Sequence, residues 1–171
     1  MDEPELESRR RIYALVEDNP GIHFRGILDR VDYAQGTLQY HLKHLADDGL
    51  VEVSEDGKFT RYYPTDEFTE ADQTVMNALR RTYSRRIIAH LLSDGPLTTS
   101  DLSDRLDKSS STISWHLSKL DEAGLLTRER DGVSVYYSLA DPDRARYLYT
   151  IHRRSFTDQL VDRLLGLWDS Y

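Results

Sequence analysis

Residues 37–50, T-L-Q-Y-H-L-K-H-L-A-D-D-G-L, return at an offset of 75 as residues 112–125, T-I-S-W-H-L-S-K-L-D-E-A-G-L. The repetition extends further. Between 10–57 and 85–132, 15 of 48 positions are identical without a gap. Solenoid and propeller units repeat every ~20–50 residues, so a longer unit present twice means two copies of one small domain. In each copy the apolar residues fall at helical spacing: Leu38, Leu42 and Leu45, then Ile113, Leu117 and Leu120. That pattern is one buried stripe on an amphipathic helix. Gly49 and Gly124 follow the last periodic residue, where a chain leaving a helix turns left-handed at little cost.

The same elements surround both copies of this helix. A first helix is expected over 6–18 and 80–93, ended by Asn19-Pro20-Gly21 and by Asp94-Gly95-Pro96. A short second helix is expected over 23–31 and 98–106, with Thr98 or Thr99 as a cap. Three residues then lead into the third helix, so helices two and three form a helix-turn-helix. A strand follows each glycine, and Asp56-Gly57 and Asp131-Gly132 supply hairpin turns. Three helices and a hairpin make a winged helix.

Residues 67–84 read as a helical linker running into the next domain, with Thr69 as cap. Residues 142–171 read as one long helix with an apolar stripe through Leu148, Phe156, Leu160, Leu164 and Trp168. With no winged-helix core left for it to cover, this stripe is expected to form a homodimer contact. The expected fold is mainly α with small β-hairpin wings (α+β). It comprises an N-terminal winged helix-turn-helix domain (1–66), the linker (67–84), a second such domain (85–141) and a C-terminal dimerisation helix (142–171).

Composition narrows the function. There is no cysteine, which removes disulfides, thiolate metal sites and cysteine nucleophiles. His41 and His44, three apart on one helix, are too few for a metal site, so neither metal nor cofactor is expected. No phosphate-cradling glycine loop, nucleophile elbow or metalloprotease motif occurs, and an enzyme is not expected. No apolar run reaches the ~18 residues of a membrane span, and the start of the chain lacks secretory order. A cytoplasmic protein is expected.

The net charge of −8 opposes nucleic-acid binding at first sight, but Asp2, Glu3, Glu5 and Glu7 contribute half of it. Asp outnumbers Glu by 20 to 10 and Arg outnumbers Lys by 18 to 4. This balance resembles proteins of halophilic archaea. At ~1 M salt the Debye length is about 3 Å, so distant acidic charge barely repels a duplex.

The motif H-L-x-x-L-x-x-x-G-L, at 41–50 and 116–125, resembles the recognition-helix signature of ArsR/MarR-like winged helix-turn-helix transcription regulators. Over about 8–66 and 80–140 the chain looks most like archaeal regulators with two such domains in tandem. The resemblance implies double-stranded DNA as partner, with recognition helices in the major groove and wings on the backbone. Carried over position by position, Gln35, Thr37, Gln39 and Tyr40 would read bases in the first domain. Ser110, Ser111, Thr112, Ser114 and Trp115 would do so in the second. Lys43, Lys58, Arg61, Lys119, Arg128 and Arg130 would anchor the backbone, with Arg25 and Lys108 as further phosphate contacts. Gln suits adenine and the Thr methyl suits thymine. Neither reading face carries an Arg for guanine. Arg9-Arg10-Arg11 and Arg85-Arg86 read as solvated faces of first helices. The competing reading is a tandem winged-helix subunit of the kleisin-binding type, which binds protein in a chromosome-organising complex.

Overall fold

The computed structural model describes residues 2–167 and divides into two compact units, 1–77 and 78–171. The first contains α1 (Glu3–Asp18), β1 (Ile22–His23), α2 (Phe24–Leu28), α3 (Gln35–Asp47), β2 (Val51–Asp56) and β3 (Phe59–Pro64). Most of α4 (Glu70–Leu79) also belongs to it. The second contains α5 (Thr82–Asp94), α6 (Thr99–Leu106), α7 (Ser110–Glu122), β4 (Leu126–Asp131), β5 (Ser134–Leu139), α8 (Pro142–Phe156) and α9 (Gln159–Leu164). The helix α3 and both strands of its hairpin reappear in the second unit at the 75-residue offset, boundary for boundary.

In the first unit, Leu38, Leu42 and Leu45 of α3 are buried against Ile12 and Val16 of α1, Ile27 of α2 and Val51 of β2. The helix ends in a Schellman arrangement. The Leu50 N–H donates to the Leu45 carbonyl at 2.9 Å, the Gly49 N–H donates to Ala46 at 3.0 Å, and Gly49 has φ +73°. Leu125, Leu120, Gly124 and Asp121 repeat this pattern in α7. The glycine of the repeated motif is thus a helix stop, and the leucine after it leads into the wing. Each hairpin has a two-residue loop whose first member is a glycine at positive φ, Gly57 or Gly132. That suits a type II′ turn, which follows the twist of the strands.

Two-residue β1 adds a third strand to the first wing, in the order β1-β3-β2. In the second unit the equivalent contact is a single bridge, Leu97 to Tyr137. Neither is visible in the sequence pattern, because a pairing of two residues is too short to show alternation.

The linker is corrected. Thr69 and Asp72 form a reciprocal capping box that starts α4. The helix stops at Leu79, and Arg81 is extended (φ −99°, ψ 123°) before α5 begins, so no single helix runs through. On the first unit, α4 covers the hairpin. The Tyr63 hydroxyl bonds the Gln73 carbonyl at 3.2 Å and the Asn77 side chain, and Gln73 donates to Glu52 at 2.8 Å.

The C-terminal segment is also corrected. It is two helices, broken at Thr157, which adopts the left-handed conformation (φ 50°, ψ 44°). Its apolar stripe is used within its own unit: Leu148, Tyr149, Phe156 and Val161 are buried, and α8 and α9 pack on α5. Leu148 and Phe156 are therefore core residues rather than dimer contacts. Leu160 is exposed, Leu164 is half-buried, and Trp168 lies outside the described residues. The physical reason is that α5 has a second apolar side, which the three-helix core leaves uncovered.

Polar groups tie the same junction. Asp158, buried, accepts from Arg85 Nε at 2.9 Å and Arg86 Nε at 3.3 Å, and the Tyr149 hydroxyl donates to Asp162 at 2.6 Å. Arg85 also donates to the Leu79 carbonyl. Burial raises the Asp158 carboxyl, but hydrogen bonds and charge from the two arginines outweigh it and hold the group below the usual carboxylate range. The ion pair thus stabilises the fold above an unfolded-state pKa of ~3.9 and ceases to do so as pH falls through the lower folded value. Removing one partner of a buried pair leaves the other charge uncompensated. Asp158→Ala is expected to cost about 3–5 kcal/mol at neutral pH, measured by urea unfolding at fixed salt.

Candidate nucleic-acid interface

Burying one stripe of α3 leaves the opposite face outward. Gln35, Thr37, Gln39, Tyr40 and Lys43 are all exposed. Gln35, Gln39 and Lys43 recur at four-residue steps and form one line along the helix. Lys43 pairs with Asp47 on its own helix, at 2.9 Å and largely in solvent, a contact weak enough to open for a competing anion. The Tyr40 ring is half-exposed but oriented. Arg9 lies 5.5 Å from its centroid, and His44 meets it edge-on at 4.5 Å.

The reason for that orientation is an interaction the sequence does not disclose. Arg9 is buried, and its Nε donates to His41 Nδ1 at 3.2 Å, joining α1 to α3. Its neighbours Arg10 and Arg11 are exposed, so only they form the solvated face expected of the whole run. Arg85 departs from that expectation as well, being buried. The signal available was helical phase: three consecutive helical residues span most of a turn, so a run of arginines beside a buried stripe cannot all face water.

In α7, Ser110, Ser111, Ser114, Trp115 and Lys119 are exposed. Trp115 stands edge-on to His116 at 5.0 Å, and Lys119 Nζ lies 5.7 Å from its ring. Thr112 is half-buried, and its hydroxyl is 2.9 Å from the hydroxyl of Ser109, the residue that caps the helix. It serves the helix start more than an outward face. Arg25 and Lys108 lie beside the turns, with Lys108 Nζ 5.1 Å from the Tyr83 ring.

The wings differ from expectation at one position. Arg61 is 3% exposed. Its Nε donates to Asp56 at 2.8 Å, another guanidinium nitrogen donates to the Gly21 carbonyl at 3.1 Å, and the group lies over Phe59. It braces the first hairpin and is not offered to a ligand. Lys58, Arg128 and Arg130 are exposed as expected.

These two units are winged helix-turn-helix domains, each with the outer face of its third helix exposed. Residues 6–76 match a family described as an N-terminal HTH domain, and residues 83–129 match one described as a helix-turn-helix domain. The HTH-type transcriptional regulator MJ1398 of Methanocaldococcus jannaschii is 26% identical over 131 residues, 77% of this chain and 33% of that protein. The transcriptional repressor SdpR of Bacillus subtilis is 38% identical over 56 residues, 33% of this chain and 62% of that one. Among solved structures, HlyU from Vibrio cholerae shares 28% identity over 52% of this chain and 96% of its own, with a TM-score of 0.43. The chain spans about a third of the length of the M. jannaschii relative. The chain thus carries two helix-turn-helix domains, one in each unit, and the relatives it resembles are named as transcriptional regulators.

Burial first, then the charge of Arg9, lowers the pKa of His41; burial and then Arg81 lower that of His116. Both imidazoles are held neutral by the fold, and with Nδ1 accepting from Arg9, His41 carries its proton on Nε2. The unfolded chain takes up protons first as pH falls. Their contribution to stability is therefore complete above an unfolded pKa of ~6.5 and declines as pH drops toward the lower folded values. Thermal melts between pH ~7.5 and ~5.5 should show a falling midpoint. The double substitution His41→Gln and His116→Gln should make that dependence shallower, whatever it does to the midpoint itself.

Proposed function

We propose that this protein regulates transcription by binding double-stranded DNA, with α3 and α7 entering the major groove and the two hairpins resting on the backbone. The observation that carries this reading is the outward face of the third helix, left uncovered in each unit and lined with hydrogen-bonding and aromatic side chains. Gln35 and Gln39 suit adenine edges, and Thr37 suits a thymine methyl. With no Arg on either face, site preference leans to A·T-rich or shape-defined sequence. The role is binding, not catalysis. MJ1398 and SdpR are transcription regulators by name, and neither favours a kleisin-binding subunit.

The first domain is the stronger base reader on this proposal. Its helix carries the longer polar side chains, and Tyr40 is held in place by Arg9 and His44. Mobility-shift titrations on the bound site, run at low and molar KCl, test both points. Absence of any duplex binding in either salt removes the DNA reading. If the chain binds, Gln39→Ala with Tyr40→Ala should weaken specific binding by about 1–3 kcal/mol for each good base pairing removed. That loss should exceed the one from Ser114→Ala with Trp115→Ala. The reverse order would assign base reading to the second domain.

The homodimer proposal now rests on a different face of the C-terminal region. Tyr147 and Ile151, one helical turn apart on α8, are 64% and 58% exposed, and Leu160 is exposed on α9. In a two-fold dimer the half-sites would lie about one DNA turn apart or a multiple of it. Tyr147→Lys with Ile151→Lys should halve the mass seen by light scattering while leaving the melting midpoint close to wild type. A dimer that persists would place the interface elsewhere.

A further inference from the structure

The two copies share one fold, so equivalent positions can be compared directly. The hairpins align without a gap, Asp56-Gly57 on Asp131-Gly132. On this alignment Val53 corresponds to Arg128 and Glu55 to Arg130. All four are exposed, and within each strand the two lie two residues apart, on one face of the sheet. That face borders the third helix: Arg128 Nε is 3.6 Å from Asp121 of α7. The strand residues on this face are therefore apolar and acidic in the first wing and both cationic in the second, where Asp121 of the neighbouring helix offsets part of that charge.

The remaining basic groups widen the difference. In the first wing Arg61 is buried in its bond to Asp56, leaving Lys58 as the exposed cation of that hairpin. A phosphate brought to the Val53–Glu55 face meets a methyl group and a carboxylate, and is repelled. At the Arg128–Arg130 face it meets two guanidinium groups, each suited to bidentate phosphate contact. The pair of Arg128 with Asp121 is long at 3.6 Å and largely in solvent, unlike that of buried Arg61, and opens for a competing anion.

We infer that the two domains divide the work on a duplex: the second wing, through Arg128 and Arg130, is the main clamp on the phosphate backbone, and the first wing contributes little to it. The inference rests on the proposed DNA binding, and extends it by assigning the salt-dependent part to one copy. Backbone contacts release counterions, so each one adds about 0.9 to the slope of log affinity against log salt. Base contacts change affinity with little effect on that slope.

The test measures binding of the full chain to a random-sequence duplex across a KCl series. Arg128→Gln with Arg130→Gln should lower the magnitude of the slope by about two, and Lys58→Gln by about one at most. The charge-retaining pair Arg128→Lys with Arg130→Lys should keep most of the slope. Grafting the cations onto the first wing, Val53→Arg with Glu55→Arg, should raise it. Circular dichroism melts on each variant separate loss of binding from loss of fold. A slope unchanged by the Arg128 and Arg130 substitutions, with wild type binding normally, overturns the inference and leaves the DNA reading intact. Failure of the wild type to bind any duplex overturns both.

Discussion

The apolar stripe on the third helix of each copy dictates most of the molecule's remaining geometry. Leu38, Leu42 and Leu45, or Ile113, Leu117 and Leu120, are driven out of water by a gain of roughly 1.5–3 kcal/mol per fully buried side chain. A helix can turn only one side to a core. Burying these residues therefore decides at once which side chains face outward. The polar edge from Gln35 to Lys43 is accessible because the opposite edge is not. The glycine that ends the helix then sets where the hairpin begins, and so which strand residues stand beside that edge.

The duplication allowed the two copies to diverge at the surface while keeping this arrangement. Core positions of the third helices are alike, and so are the glycine caps and hairpin turns. The outward residues are not: glutamines against serines, Tyr40 against Trp115, Val53 and Glu55 against Arg128 and Arg130. Packing constrains the first set tightly, since a methylene removed from or added to a close-packed interior is felt. Solvent leaves the second set free to answer to a partner. Each unit also has its own addition. The first carries α4 on its hairpin, held by Tyr63, Gln73 and Asn77; the second carries α8 and α9 on α5, held by Asp158 between two arginines.

Buried cations mark where legibility in the sequence ends. By the ordinary rule that arginine stays in water, Arg9, Arg61 and Arg85 read as surface groups. Each is buried with a specific acceptor: His41 for Arg9, Asp56 with the Gly21 carbonyl for Arg61, and Asp158 for Arg85. His41, the Gly21 carbonyl and Asp158 lie 32, 40 and 73 positions from their arginines, distances over which periodicity carries no information. The same limit applies to the C-terminal segment. Its apolar spacing is plain, but spacing does not name the surface it meets. Leu148 and Phe156 are buried within their own unit, where α8 packs on α5.

What the sequence determined by itself was the local and the repeated: two copies, the helix–helix–helix–hairpin order, the stripe on each third helix, the glycine stops and the turns. These depend on residues within a few positions of one another, where backbone geometry and hydrophobic period act directly. Tertiary structure alone decided which arginines are braces and which are exposed. It also decided that the C-terminal region breaks at Thr157 and folds back on its own unit. Those outcomes depend on which distant groups come within hydrogen-bond and ion-pair reach once the cores have closed.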